Sequence, residues 1–184
     1  MAKIGLKYPI AGKLTEGATN TYGAKQVVGK AIKADIKLTK STAKLYANDV
    51  LAESDSSVTG GTISLEVDEL DDVSYNFLLG HNKVGETDEI VANTNDTSPY
   101  VGFGFYGSKM VSNVKKYRAI FLVKVKFSEP DDSNSTKSEN TSFATQTIEG
   151  EIVVLEDGTW KYEETFDTEA EAKTYLEGKL GTVA

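Results

Sequence analysis

The chain has 184 residues, no cysteine and a formal net charge of −8. This length suits one domain with a sizeable core, and the lack of cysteine excludes disulfides and thiol chemistry. The acidic balance argues against sequence-reading contacts with nucleic acid, which need Lys and Arg at the phosphates. No apolar run reaches the roughly 18 residues of a membrane helix, and the N-terminus does not resemble a signal peptide. We therefore expect a protein made in the cytoplasm.

Charge alternates in sign along the chain in four blocks. Residues 1–44 and 98–128 carry +7 and +6, whereas residues 45–97 and 129–184 carry −11 and −10. Folding could mix these blocks into a patchwork within one subunit. Alternatively, faces of opposite charge could meet between subunits, which would favour head-to-tail self-association. The sequence leaves both interpretations open.

The first part of the chain is weakly patterned and then becomes clearly β. Residues 1–30 contain many glycines, and they predict an extended N-terminal arm with one or two short strands, one of them near Lys25–Val28. Residues 31–39 alternate between apolar and polar side chains, which is typical of a strand with one wet face. A separate strand is predicted at Thr42–Tyr46.

An acidic excursion at Asn48–Ser57 follows, and it ends at the break Gly60-Gly61. A protein with one compact core does not need a segment of this composition, so we interpret it as a polar arm that reaches a neighbour. A strand is predicted at Thr62–Val67. Helical spacing then predicts a helix over Asp68–Gly80, with Asp68 as the N-cap and Gly80 as the C′ residue.

The strongest β patterns lie in the second half of the chain. Pro99–Gly107 and Tyr117–Phe127 are apolar, aromatic and β-branched, and in the second run Phe121, Val123, Val125 and Phe127 are predicted to share one face. A short strand is also predicted at Glu89–Ala92. Residues 128–141 have the composition of a flexible loop.

Two more strands and a helix complete the pattern. Ser142–Leu155 and Thr159–Phe166 are predicted to form a hairpin around Asp157-Gly158. Thr168 and Glu171 form a capping box that opens a C-terminal helix over residues 168–181. Eight to ten strands with two short helices predict a mainly β protein rather than a doubly wound α/β sheet.

Motifs that carry chemistry are weak. The run Gly102–Gly107 satisfies G-x-G-x-x-G, but aromatic residues fill its gaps and no helix follows, so it predicts a strand packed closely against a ring or another backbone. His81, the one histidine, lacks sequence partners for a triad or a His-rich metal site. Asp131–Asn134 lacks the Gly and Glu of a calcium loop. We expect no catalytic, metal or cofactor site.

Eight short motifs occur in order and at natural spacing along residues 3–165. They are Ile4–Pro9, Ala43–Asp49, Ala52–Asp55, Gly60–Ile63, Val67–Leu70, Leu79–His81, Pro99–Gly104 and Tyr117–Ala119. Together they resemble the major tail proteins of long-tailed bacteriophages of Gram-positive hosts.

The resemblance implies a fold, a function and partners. It implies a single tail-tube domain over residues 1–184, with two packed antiparallel sheets in a β-sandwich or barrel, one flanking helix and a short C-terminal helix. Such subunits are structural virion proteins, not enzymes, and they assemble into rings, commonly hexameric. The rings stack into a tail tube through which DNA passes without sequence-specific binding. The implied partners are further copies of the chain and the tape-measure, tail-terminator and distal tail proteins, with no membrane.

In this family an arm between two early strands contacts the adjacent ring, and residues 46–61 match it. Its candidate contact residues are Tyr46, Asn48, Asp49, Glu53 and Asp55. The charge blocks give candidate basic partners on neighbouring subunits. These are Lys33, Lys37, Lys115, Lys116 and Arg118. The alternative is a monomeric β-sandwich that serves as a binding or adhesion module through exposed aromatics such as Tyr100, Trp160 and Tyr162.

Overall fold

The structure, a computed structural model, describes residues 3–17, 19–47, 50–83, 89–131 and 145–181. In these ranges the chain forms ten strands and two helices, which confirms the mainly β prediction. The strands are β1 Lys3–Thr15, β2 Thr21–Val27, β3 Ala31–Ala47, β4 Val50–Val67, β5 Asn82–Lys83, β6 Ile90–Val91, β7 Tyr100–Val111, β8 Val114–Phe127, β9 Gln146–Ile152 and β10 Lys161–Phe166. The helices are α1 Asp72–Leu79 and α2 Glu169–Lys179.

Eight of these strands form one antiparallel sheet. Their order is β2-β1-β7-β8-β9-β4-β3, and β10 pairs with β8 beside this path. β8 is long enough to take two partners along the same edge, because β10 lies opposite Tyr117–Leu122 and β9 lies opposite Val125–Phe127. The short strands β5 and β6 pair only with each other.

The sheet curls around its main hydrophobic core. Strands from both halves of the strand order contribute buried side chains to one cluster, and α1 closes it with Leu78 and Leu79. The largest fully buried strand side chains in this cluster are Ile63, Leu65, Phe103, Leu122, Phe127, Ile148 and Ile152. Trp160 packs on this cluster from the turn that precedes β10.

A second core lies between the opposite face of β7 and β8 and helix α2. Phe121 and Tyr106 meet Leu176 and Leu180 there. The glycines of β7 make this contact possible, since a Cβ on Gly102 would lie 2.5 Å from a Tyr22 ring carbon and one on Gly104 would lie 2.9 Å from Leu176. The prediction of a glycine-rich strand in close contact with rings is therefore confirmed.

A β-bulge in β8 corrects one facing prediction. Val101 lies opposite Val125 but Phe103 lies opposite Leu122, so the register shifts between these two pairs. A one-residue shift turns the side chains that follow to the other face of the sheet. Phe121 therefore belongs to the second core, whereas Val125 and Phe127 belong to the main core, so the four residues do not all share one face as predicted.

Three predictions on the strands also need correction. Residues 3–15, interpreted as part of an arm, form a strand of the main sheet that pairs with both β2 and β7. The predicted strands at residues 31–39 and 42–46 are one continuous strand, β3. Around Asp157-Gly158 the turn forms, with Gly158 at φ 81°, but β9 and β10 do not pair with each other because each finds a place on β8.

The helix ends depend on local carboxylates. α1 begins later than predicted, because Asp71, not Asp68, accepts the backbone N–H of Ser74 and acts as the N-cap. Asp68 instead accepts the backbone N–H of Lys30 at 2.8 Å. Gly80 ends the helix in the left-handed region, as expected, and the capping box of Thr168 and Glu171 at α2 is confirmed. Of the predicted flexible loop, residues 132–141 lie outside the described residues.

Candidate assembly interface

The predicted arm is the far end of a long hairpin. β3 and β4 pair from Ala31 opposite Val67 to Ala47 opposite Val50, yet β4 meets its other neighbour β9 only along Gly61–Val67. Residues 40–47 and 50–58 therefore pair only with each other among the described strands, and we call them the ribbon. Candidate residues Tyr46, Glu53 and Asp55 lie in the ribbon backbone. Asn48 and Asp49 lie outside the described residues.

The ribbon begins at a distinct point of the hairpin. The register of β3 and β4 shifts between Thr39 and Lys40. Gly61, opposite Leu38, allows a close approach there, since a Cβ at this position would lie 2.5 Å from the carbonyl oxygen of Lys37. Beyond this point no third described strand pairs with these two strands. A two-stranded hairpin alone is marginally stable in water, so a ribbon of this length is suited to a partner surface.

A groove lies where the curled sheet brings β1 close to β3. β1 and β3 approach each other there but form no strand pair. The resulting cleft, about 470 Å³, is called here the seam groove. Its apolar lining includes Leu6, Ile32, Ile36, Phe105 and Ile120, and its cations are Lys33, Lys109 and Arg118. The fold thus brings two of the predicted basic residues, from segments far apart in sequence, into one cleft.

Most of the predicted basic residues already have partners within the subunit. Lys33 pairs with Asp35 on the same strand, Lys116 lies 2.8 Å from Asp167 and Arg118 lies 2.5 Å from Glu163. The ammonium of Lys115 lies 5.5 Å from the ring centroid of Tyr117. No ion pair connects Lys37 with a described residue. The basic set is therefore partly neutralised by acids of the same chain.

These pairs show how the charge blocks mix. Pairing of β8 with β10 places the basic block 98–128 directly beside acids of the block 129–184. The carboxylate of Glu163 accepts hydrogen bonds from Lys161 and from Arg118, and these bonds lower its pKa to about 2. Glu16 similarly lies 2.6 Å from Lys124. At this side of the molecule the patchwork interpretation of the charge blocks holds.

His81 has two partners that the sequence did not reveal. Its Nδ1 lies 2.9 Å from Asp96 and its Nε2 lies 2.9 Å from Glu129, and its side chain is 7% exposed. Because carboxylates only accept hydrogen bonds, both bonds form together only when both ring nitrogens carry protons. The bond from His81 is the main cause of a lowered pKa at Asp96. The arrangement fastens the end of α1 to two loops.

The His81 cluster lies in the wall of a second cleft, about 900 Å³, that reaches the root of the ribbon at Thr39 and Gly60. Glu149 and Glu151 of β9 also line it. Despite these acids, no group of three or more metal-ligating side chains occurs in the described ranges. Sequence spacing could not have found this cluster, because Asp96 and Glu129 lie 15 and 48 residues from His81.

The aromatic residues proposed for a binding module are not free platforms. Lys124 lies over the ring of Tyr100, 4.2 Å from its centroid, and Lys179 lies 3.9 Å from the centroid of Tyr162. Trp160 packs against the main core. Each ring therefore has a face already covered from within the subunit, which weakens the case for a stacking ligand.

Comparison with known proteins gives no family assignment. No family model matches the chain, and no curated protein matches it. Within the part of the chain that the structure describes, no helix is long and apolar enough to cross a membrane. The tail-protein resemblance and the self-assembly hypothesis therefore remain predictions. The ribbon and the seam groove are the structural features relevant to them.

Proposed function

We propose that the protein is a structural virion subunit that assembles into stacked rings and forms a phage tail tube. The observation that carries the proposal is the ribbon. It extends an antiparallel pair well beyond the rest of the sheet, and no third described strand pairs with it. Such a segment contributes little to the subunit's own core, so its natural use is contact with another copy.

The ends of the sheet support repetition in a ring. β2 and β3 terminate the strand order, and each pairs on one side only. An unpaired strand edge is a template for another strand, and two different edges on one chain allow head-to-tail contacts that close into a ring. We propose that the curled sheet corresponds to the packed layers of the tail-tube fold and continues between neighbours.

The polar face of β3, β4 and β9 suits the wall of a DNA conduit. On this face Lys33 lies opposite Glu66, and Thr62 lies between Lys37 and Glu151. Asp35, Ser64 and Glu149 form another row of the same face. Acids outnumber lysines along it, so phosphates would find little to bind and DNA could slide.

The proposal is tested by shortening the ribbon. Ser41 and Ser57 lie directly opposite each other, so residues 42–56 can be replaced by Asn-Gly, which favours a two-residue hairpin turn. We expect the shortened chain to stay folded and soluble, because no main-core side chain is removed. Negative-stain microscopy of concentrated natural protein should show rings or tubes, and the shortened chain should form no tubes.

Two outcomes would contradict the proposal. Dispersed monomers of the natural protein at high concentration and after nucleation attempts would favour the alternative, a monomeric β-sandwich that serves as a binding or adhesion module. Normal tubes from the shortened chain would show that the ribbon is not the stacking element. Circular dichroism of both chains provides the control that the sheet is intact.

A further inference from the structure

We infer that His81 is a proton-operated clamp: its charged ring joins two walls of the cleft beside it, and its neutral ring releases one of them. The inference concerns the single subunit, so its test does not depend on the proposed assembly. It rests on the geometry around the ring, on the unequal exposure of its two partners and on the other charged groups of the cleft.

The ring of His81 connects two loops that form different walls of the cleft. Its Nδ1 lies 2.9 Å from Asp96, in the loop before β7, and its Nε2 lies 2.9 Å from Glu129, just after β8. All three residues line the cleft. The ring therefore reaches water through the cleft, and it can exchange a proton without unfolding of α1.

The two hydrogen bonds need a charged ring. A carboxylate accepts hydrogen bonds and donates none, and a neutral imidazole has only one N–H to give. An ordinary imidazole titrates near about pH 6.5, where carboxylates are ionised. A rise in pH from about 5.5 to 8 thus changes the number of these bonds from two to one.

Asp96 is the partner that keeps its bond. Its side chain is 12% exposed, and its carboxylate also accepts the backbone N–H of Asn93 at 2.8 Å. Glu129, in contrast, is 54% exposed, so water can replace the ring as its hydrogen-bond donor. The remaining proton therefore stays on Nδ1, and the lone pair of Nε2 then faces the Glu129 carboxylate, which it repels.

The other charged groups of the cleft do not switch in this pH range. Lys126 of β8 and Glu149 and Glu151 of β9 line the same cleft, and side chains of these types keep their charge between about pH 5.5 and 8. The ring of Tyr75 on α1 lies 5.4 Å from the ring of His81. No ion pair joins Lys126 with Glu129 in the described ranges, so the ring of His81 is the switching group.

Loss of the bond to Glu129 separates the segment after β8 from the end of α1. The cleft, about 900 Å³, extends from this segment to Thr39 and Gly60 at the root of the ribbon. Its walls are joined through His81 at acidic pH and are uncoupled at basic pH. The clamp thus makes the width of this cleft depend on pH.

Nuclear magnetic resonance of the ring tests the first step. The chain has one histidine, so ¹⁵N spectra of the imidazole contain a single pair of ring nitrogens. We expect the charged ring below about pH 5.5 and, above about pH 8, one tautomer with its proton on Nδ1. A mixture of tautomers at basic pH, or the proton on Nε2, would overturn the inference, because Asp96 would then not be the partner that keeps its bond.

Amide hydrogen exchange tests the release of Glu129. The backbone N–H of Ser128 donates to the carbonyl oxygen of Glu149 at 2.9 Å, so its protection reports on the released wall. The backbone N–H of Asn93, bound to Asp96, reports on the other wall. After correction for the intrinsic effect of pH on exchange, protection at Ser128 should fall about threefold between pH 5.5 and 8, and protection at Asn93 should stay constant. Equal changes at both amides, or none at either, would contradict the clamp.

Glu129→Gln separates the clamp from the fold. The amide of glutamine accepts a hydrogen bond from the charged ring and donates one to the neutral ring, so the change at Ser128 should disappear. Glu151→Gln in the same cleft is the matched control and should keep the threefold change. Persistence of the change in Glu129→Gln, or its loss in the control, with circular dichroism showing an intact sheet, would overturn the inference.

Discussion

The β3–β4 hairpin contains two regions that share a backbone pattern and differ in everything else. Near Ala31 and Val67 the pair lies in the sheet, β9 adds a third strand, and Ile63, Leu65 and Val67 are fully buried. Beyond Thr39 the same two strands continue as the ribbon, where each pairs only with the other among the described strands. The comparison teaches that strand pairing alone does not define a subunit's core; the layer packed behind the strands does.

The largest expected effect contrasts the buried part of the hairpin with its exposed last leucine before the ribbon, Leu38, by the same substitution. Leu65→Ala removes a fully buried side chain from the main core and should lower the free energy of unfolding by about 2–5 kcal/mol. Leu38→Ala, one strand away and 36% exposed, should cost less than about 1 kcal/mol, because little buried surface is lost. Urea denaturation followed by circular dichroism measures both. Equal losses of unfolding free energy in the two variants would contradict the distinction between a buried and an exposed part of the hairpin.

The boundary between the regions can be tested at Gly61. A Cβ there would lie 2.5 Å from the carbonyl oxygen of Lys37, and since backbone cannot move aside cheaply, Gly61→Ala should cost about 1–3 kcal/mol. Gly23→Ala in β2 is the matched control, because nothing lies within 4 Å of the added Cβ. The measurement is again the free energy of unfolding. A neutral Gly61→Ala would mean that the ribbon tilts freely at this point.

The smallest expected effect concerns β10, which, like the ribbon, has a single strand neighbour but, unlike it, is supported by a helix. β10 pairs only with β8, but Phe166 packs on Tyr175 of α2 and Glu163 holds two cations. Glu163→Gln should cost about 0.5–1 kcal/mol at neutral pH, as partly exposed ion pairs do. Glu164→Gln, on the next residue, is the control and should change stability less.

The pH dependence of this variant has a definite sign. The pKa of Glu163 is lowered to about 2 in the folded chain, whereas an unfolded Glu titrates near about 4.3. The contribution is therefore complete above about pH 5 and is lost as the pH falls towards 2. The gap between natural protein and Glu163→Gln should close over that window in thermal melts. A gap that stays constant with pH would contradict the assigned ion pairs.

The sequence predicted what depends on local pattern. The capping box at Thr168, the left-handed Gly80 and the alternating strand at residues 31–39 all follow from residues close together in the chain. The bulge in β8 could not be predicted, because it depends on which residue of β7 lies opposite. For the same reason the turn at Asp157-Gly158 was found but its hairpin was not: the competing partner, β8, lies 35 or more residues earlier.

The features of the candidate interface also fall into those that local sequence predicts and those that depend on long-range pairing. Composition identified the acidic segment that becomes the ribbon, and charge identified Lys33 and Arg118. That these two cations share a groove depends on how the sheet curls, and that Arg118 already holds Glu163 depends on the pairing of β10. Facts of this kind come from long-range pairing, which a single sequence does not encode in any local pattern.

The pairing of one edge of β8 with both β9 and β10 has a consequence for folding during synthesis of the chain. Among the described strands its edge at Tyr117–Leu122 is completed only by β10, and the aromatic face beside it, with Phe121, is covered by α2 together with Tyr22 of β2. β10 and α2 begin 34 and 42 residues after the end of β8, so both emerge from the ribosome later. Until then an unpaired edge and an apolar face stay open, so the subunit cannot finish folding vectorially. Residues 161–180 thus set the time at which the chain completes its fold and could enter the proposed assembly.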